Sequence, residues 1–166
     1  MFKKNFYKAA IFFPVVFLLH LPVGAQVTDS AITIHQETDF KASPGQLYEV
    51  LISSKAFSDC TKKSFPTFSP VSARIDSVVG GTFSLFDGHI VGRILELVPN
   101  ERIVEAWRVV DWPAGIYSIA RFEFRPNKAG TTIVFDHTGF PKGLKAHLSS
   151  GWTEHYWAAL SKYFEQ

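Results

Sequence analysis

The stretch GGTFSLFDGHIVGRILELV, residues 80–98, decides the fold class. Gly80-Gly81 and Asp87-Gly88 are turn signals, and the residues between and after them alternate or run apolar in short lengths. Glycine supplies the positive φ of tight turns, and Asp-Gly between apolar runs marks a hairpin. The stretch therefore predicts two short antiparallel strands, Thr82–Phe86 and His89–Val98. The pattern continues outward on both sides. Val71–Asp76 precedes it. Pro99-Asn100-Glu101 turns the chain into Arg102–Val110, Trp112-Pro113-Ala114-Gly115 breaks it before Ile116–Arg125, and Asn127–Gly130 leads into Thr131–Thr138. Ile32 and Ile34 alternate with Thr33 and His35, which adds an early strand. The turns are too short for the crossovers that parallel strands require, so the six or seven strands form an antiparallel meander.

Helical signals flank the strands. Ser43-Pro44 offers a cap and a first-turn proline, followed by the apolar stripe Leu47, Val50, Leu51. A second short helix is expected over Lys55–Cys60, then an irregular loop over 62–70 with Pro66 and Pro70. In the last segment, about 144–164, Leu148, Trp152, Tyr156 and Leu160 recur every fourth residue and Phe164 extends the row. That predicts a long helix with an aromatic face laid on the sheet, making an α+β domain. Gly151 inside it costs about 1 kcal/mol relative to Ala. A close approach to a neighbouring element is the expected reason for tolerating it.

The N-terminus reads as an address. Lys3, Lys4 and Lys8 precede an apolar run, Ala9–Leu19, and Val23-Gly24-Ala25 offers small residues for cleavage. Pro14 interrupts the run, and His20 and Pro22 close it short of the roughly 20 apolar residues of a spanning helix. Residues 1–25 are expected to be a cleavable export signal, 26–30 a short leader and 31–166 one domain, periplasmic or extracellular, with no stable membrane span after cleavage. Those first 25 residues hold three lysines and no acid, so the remainder carries 14 basic and 15 acidic residues. Nothing there asks for nucleic acid, which needs a clustered basic face. The single cysteine, Cys60, cannot form an internal disulfide and reads as a buried inert thiol.

The motifs resemble those of a known family. Gly80–Gly88 with Gly92, Glu96-Leu97-Val98-Pro99, Trp107-Arg108, Trp112-Pro113, Tyr117-Ser118, His137-Thr138-Gly139 and Gly151-Trp152 with Tyr156-Trp157 are similar to the Hsp90 ATPase activator-like domain. That domain belongs to the START-like (SRPBCC, Bet v 1-like) superfamily. The resemblance covers most of 32–164 and thins over 60–75. It implies the helix-grip fold: a curved antiparallel sheet wrapped around a long C-terminal helix, with two short helices after the first strand. The family name comes from cytosolic cochaperones that carry a further chaperone-binding domain. An exported domain would be parted from that partner, so the named activity is not expected to carry over.

No catalytic motif stands out. There is no G-x-S-x-G elbow, H-E-x-x-H or C-x-x-C, and Gly80-Gly81 lies between strands rather than before a helix. His147 and His155 sit about 12 Å apart along a helix, too far to share a metal. Asp136 and His137 point to opposite faces of a strand, so they form no dyad. His137 is a core-rim histidine or an acid–base group at a cavity mouth. Neither catalytic residues, metal nor cofactor is expected. The superfamily offers a space between sheet and helix for an apolar or amphipathic small molecule. Phe83, Leu85, Trp107, Tyr117, Phe135, His137, Trp152 and Tyr156 are its candidate lining, or simply the core that fills it. The reading is thus an exported, non-catalytic binder of such a molecule. The alternatives are a stress-related, chaperone-accessory domain with an unidentified protein partner, and a cyclase-type enzyme.

Overall fold

A computed structural model describes residues 32–64 and 72–165. The expected export signal (1–25), the expected leader (26–30) and the stretch 65–71 lie outside the described residues. The chain begins with β1 (Thr33–Phe40), followed by α1 (Pro44–Ile52) and α2 (Ser54–Ser64). Then come β2 (Arg74–Ile75), β3 (Thr82–Leu85), β4 (Ile90–Val98), β5 (Arg102–Val109), β6 (Ser118–Asn127) and β7 (Gly130–Thr138). The C-terminal helix starts as α3 (Lys145–Gly151), passes through a π-helical stretch, Trp152–Trp157, and ends as α4 (Ala158–Phe164).

The seven strands form one antiparallel sheet in the order β1-β7-β6-β5-β4-β3-β2. Strands β2 to β7 make the expected meander, and β1 closes onto the β7 edge. The helix-grip architecture read from the sequence is the one observed. Ser43 caps α1 as its sequence suggests: its hydroxyl accepts from the Gln46 N–H at 3.3 Å, and Gln46 Oε1 accepts from the Ser43 N–H at 2.9 Å. Gly92 on β4 has the close approach that a strand glycine implies. A Cβ there would fall inside the Phe83 ring and the Ala106 carbonyl.

Several local expectations are corrected. Strand β2 shrinks to two residues, and α2 runs on to Ser64, one turn into the expected loop. Strand β3 ends at Leu85 because Phe86, Asp87 and Gly88 all adopt positive φ, at 50°, 55° and 89°. Asp87 is held there by Ser72, whose N–H and hydroxyl donate to its carboxylate at 3.0 and 2.9 Å. Strand β6 starts at Ser118, leaving Ile116 and Tyr117 exposed in the preceding turn.

Gly151 has no neighbour: a Cβ there would meet nothing within 4 Å. The close-approach explanation therefore fails. Gly151→Ala is expected to stabilise the protein by about 0.5–1 kcal/mol, because alanine keeps more of the helix's backbone order than glycine. A thermal melt that fell instead of rising would contradict this.

The helix stripe is also wider than an i, i+4 row. The π-helical stretch brings Trp152, Tyr156 and Trp157 inside together, with the rings of Trp152 and Trp157 stacked at 5.9 Å. Gln36 on β1 secures this segment, accepting from Trp157 Nε1–H at 2.7 Å and donating to Ser149 and Thr153.

Candidate functional site

Two polar clusters lie under the C-terminal helix, and they differ in one respect: the first is complete. Trp152 Nε1–H donates to His137 Nδ1 at 2.9 Å. An indole N–H can only donate, so Nδ1 carries no proton and Nε2 must. Nε2–H donates to Ser118 Oγ at 2.6 Å, and the Ser118 hydroxyl donates to the Trp107 carbonyl at 2.8 Å. Every group in this relay has a partner. Burial pushes the His137 imidazolium down to about 3, so the ring is neutral at ordinary pH. Of the two readings of His137, the structural one describes this geometry. Asp136 points the other way and pairs with His35 at 2.7 Å, as strand alternation requires.

The second cluster is incomplete. On β5 the residues Ile103, Glu105 and Trp107 face inward. Trp107 Nε1 and Tyr156 Oη are buried without a hydrogen-bond partner among the described residues. The indole N–H lies close to the tyrosine hydroxyl without reaching hydrogen-bond geometry. Glu105 sits near enough to disfavour a tyrosinate by its charge. Trp107, Tyr156 and Glu105 are 3, 7 and 8% exposed. Burial alone pushes the Glu105 carboxyl up to about 8, with no cationic partner to counter it. It also pushes the Tyr156 hydroxyl up, so both are neutral at pH 7.

Three irregularities of the backbone surround this cluster. The register of β4 against β5 slips between Ile94 and Glu96, opposite Glu105. Tyr156 lies in the π-helical stretch. Phe86, held at positive φ, sets its ring 5.5 Å from that of Tyr156 and 5.5 Å from that of Phe57. Bulges, π-helical turns and strained non-glycine residues each concentrate at functional sites.

Of the candidate lining, Phe83, Leu85, Trp107, Phe135, Trp152 and Tyr156 are buried in one core, and the buried His137 packs against Trp107 and Trp152 within it. Ring contacts join Trp107, Phe135, His137, Trp152 and Tyr156, with Phe135–Trp152 at 4.3 Å and Trp152–Tyr156 at 4.1 Å. Tyr117 is not among them. It is 47% exposed and packs under the Arg108 guanidinium, because it is out of phase with Ser118, Ala120 and Phe122, which β6 turns inward. Glu105 was missed. Its signal was available: two residues from an inward Trp107 on one strand, it had to share that face. Cys60 is buried as expected, and burial pushes its thiol up to about 12.

A seven-stranded antiparallel sheet gripping a C-terminal helix, with two helices after the first strand, defines a START-like domain. The chain belongs to the family described as "Activator of Hsp90 ATPase homolog 1-like protein", whose model matches residues 41–165. It is 28% identical over 143 residues to the human activator of 90 kDa heat shock protein ATPase homolog 1, covering 86% of this chain but 39% of that protein. The Dictyostelium discoideum activator is 29% identical over 126 residues, which cover 72% of this chain and 30% of its own length. The chain thus spans well under half of the relatives it matches. Among solved structures, an HSP90 activator from Plasmodium falciparum superposes with a TM-score of 0.65 at 25% identity, covering 76% of this chain and 90% of that one.

Proposed function

We propose that this domain is a non-catalytic binding protein. Its guest is a small amphipathic molecule held between the sheet and the C-terminal helix at Glu105, Trp107 and Tyr156. One observation carries the reading: all three residues are more than nine-tenths buried, Trp107 Nε1 and Tyr156 Oη find no hydrogen-bond partner among the described residues, and no charged partner reaches the Glu105 carboxyl there. An unmade buried hydrogen bond costs about 1–3 kcal/mol, a cost that a guest's polar end would remove. The rings of Phe57 and Phe86, which touch Tyr156, supply the apolar wall. A cyclase-type enzyme would need a second titratable group to exchange protons with Glu105. Tyr156, the titratable group facing Glu105, is held neutral by burial, and the buried His137 spends both nitrogens on Trp152 and Ser118.

The export segment at 1–25 would put this binding in the periplasm or outside the cell. Native mass spectrometry of protein recovered from that compartment is expected to show a discrete excess mass that denaturation releases. A single mass equal to the polypeptide would oppose the reading.

A second reading is favoured by a different surface. Val110, Ile116, Tyr117 and Ile119 are exposed apolar residues clustered where β5 leads into β6, and such patches mark protein contacts. The relatives are named as activators of a heat shock protein ATPase, so a chaperone-accessory role through this patch is the alternative. Ile119→Lys should then abolish recovery of a defined partner from the native compartment, while Glu105→Gln should not.

A further inference from the structure

The unpartnered cluster also constrains the chemistry of its guest. We propose that Glu105, Trp107 and Tyr156 form a site for a small organic ammonium ion, whose charge pairs with the Glu105 carboxylate while its alkyl part lies against the rings of Tyr156, Phe57 and Phe86. The proposal rests on the interior-guest reading above and specifies its ligand.

Charge is the first argument. The other shifted glutamates of the sheet have cationic partners: Glu96 accepts from Arg102 at 2.6 Å, and Glu123 accepts from Arg125 at 2.7 Å. Glu105 has none. Its sheet neighbours are Ile94 on β4 and Ala120 on β6, and Tyr156 faces it from the helix. Only Tyr156 titrates among these, and it stays neutral. A buried carboxyl in this position either keeps its proton or receives a cation from outside.

Donor and acceptor inventory is the second argument. Trp107 Nε1 can only donate, and the Tyr156 hydroxyl can donate. Both can serve a carboxylate, and neither can neutralise one. An ammonium group supplies the missing charge and leaves all three protein groups partnered. An anionic guest would instead sit against Glu105 with nothing positive beside it. The surrounding rings are the third argument, since aromatic faces attract cations and stabilise them when desolvated. That attraction offsets part of the cost of burying the pair.

The test titrates the purified protein with n-butylammonium, n-butanol and butanoate, reading the Trp107 indole N–H resonance, assigned with Trp107→Phe. Butylammonium is expected to saturate the shift and to release protons on binding. The carboxyl loses its proton near pH 8, so affinity should weaken about tenfold per pH unit below that. Glu105→Gln should lose at least tenfold in affinity, with folding checked by thermal melt. Tyr156→Phe should weaken binding several-fold through loss of one donor. Equal binding of butanol and butylammonium at pH 6 and pH 8 would overturn the ammonium assignment and leave the interior guest standing. No shift with any of the three probes would overturn both.

Discussion

Trp152→Ala is expected to remove about 5 kcal/mol of unfolding free energy. Truncating a fully buried tryptophan costs about 3–5 kcal/mol in lost burial and residual cavity. Here the loss extends further. Trp152 packs on Phe135, Tyr156, Trp107 and Phe122, and its N–H fixes the His137 tautomer. Removing it orphans Nδ1 inside the core, at roughly 1–3 kcal/mol more. Single domains hold only about 5–15 kcal/mol in total, so the variant should be barely folded at 37 °C. Trp152→Phe keeps the larger part of the aromatic packing and removes the donor, so its loss should be smaller, with the missing donor worth about 1–3 kcal/mol. Urea denaturation of both variants separates packing from the relay. A Trp152→Ala loss below about 2 kcal/mol would show that the core collapses around the gap.

The second large effect lies in the pH dependence of stability, where two buried groups act with opposite signs. His137 titrates near 3 in the fold against an ordinary 6.5. Between those values the unfolded chain binds more protons, so its contribution is complete above 6.5 and is lost as pH falls toward 3. Glu105 titrates near 8 against an ordinary 4.5. Between those values the folded chain binds more protons, so its contribution is complete below 4.5 and is lost as pH rises through 8. The two slopes oppose each other between 4.5 and 6.5, and only the Glu105 loss remains from 6.5 to 8.

Glu105→Gln removes that alkaline loss. It should leave stability at pH 4.5 little changed and raise it at pH 9 by on the order of 3–5 kcal/mol. Denaturation midpoints at the two pH values measure the difference directly. An equal shift at both would mean that Glu105 is charged in the fold at neutral pH.

The fold was legible because its signals are local. Ser43-Pro44 caps a helix through atoms three residues apart, and glycine-bearing turns at 80–81 and 87–88 limit the strands by backbone sterics. The aromatic row from Leu148 to Leu160 shows its buried side by period alone. Local signals misled where the backbone departs from the regular period. Tyr117 is a different case: alternation with the inward Ser118 and Ala120 itself turns it out. Trp157 lies off the i, i+4 row that marked the buried side, three residues before Leu160 and at the end of the stretch where the helix widens to a π-turn. Gly151 invited a close neighbour that the packing does not provide.

What the sequence by itself determined is the sheet, its order of turns and the aromatic helix laid on it, because hydrophobic period and turn chemistry act within a few residues. Tertiary structure alone decided which polar groups inside that grip find partners. His137, Ser118 and Trp152 come from three separate elements and complete one another. Glu105, Trp107 and Tyr156 share the same interior, and Trp107 Nε1 and Tyr156 Oη stay without partners among the described residues. The distinction depends on ångström-scale placement of atoms far apart in the chain, which neither composition nor period encodes.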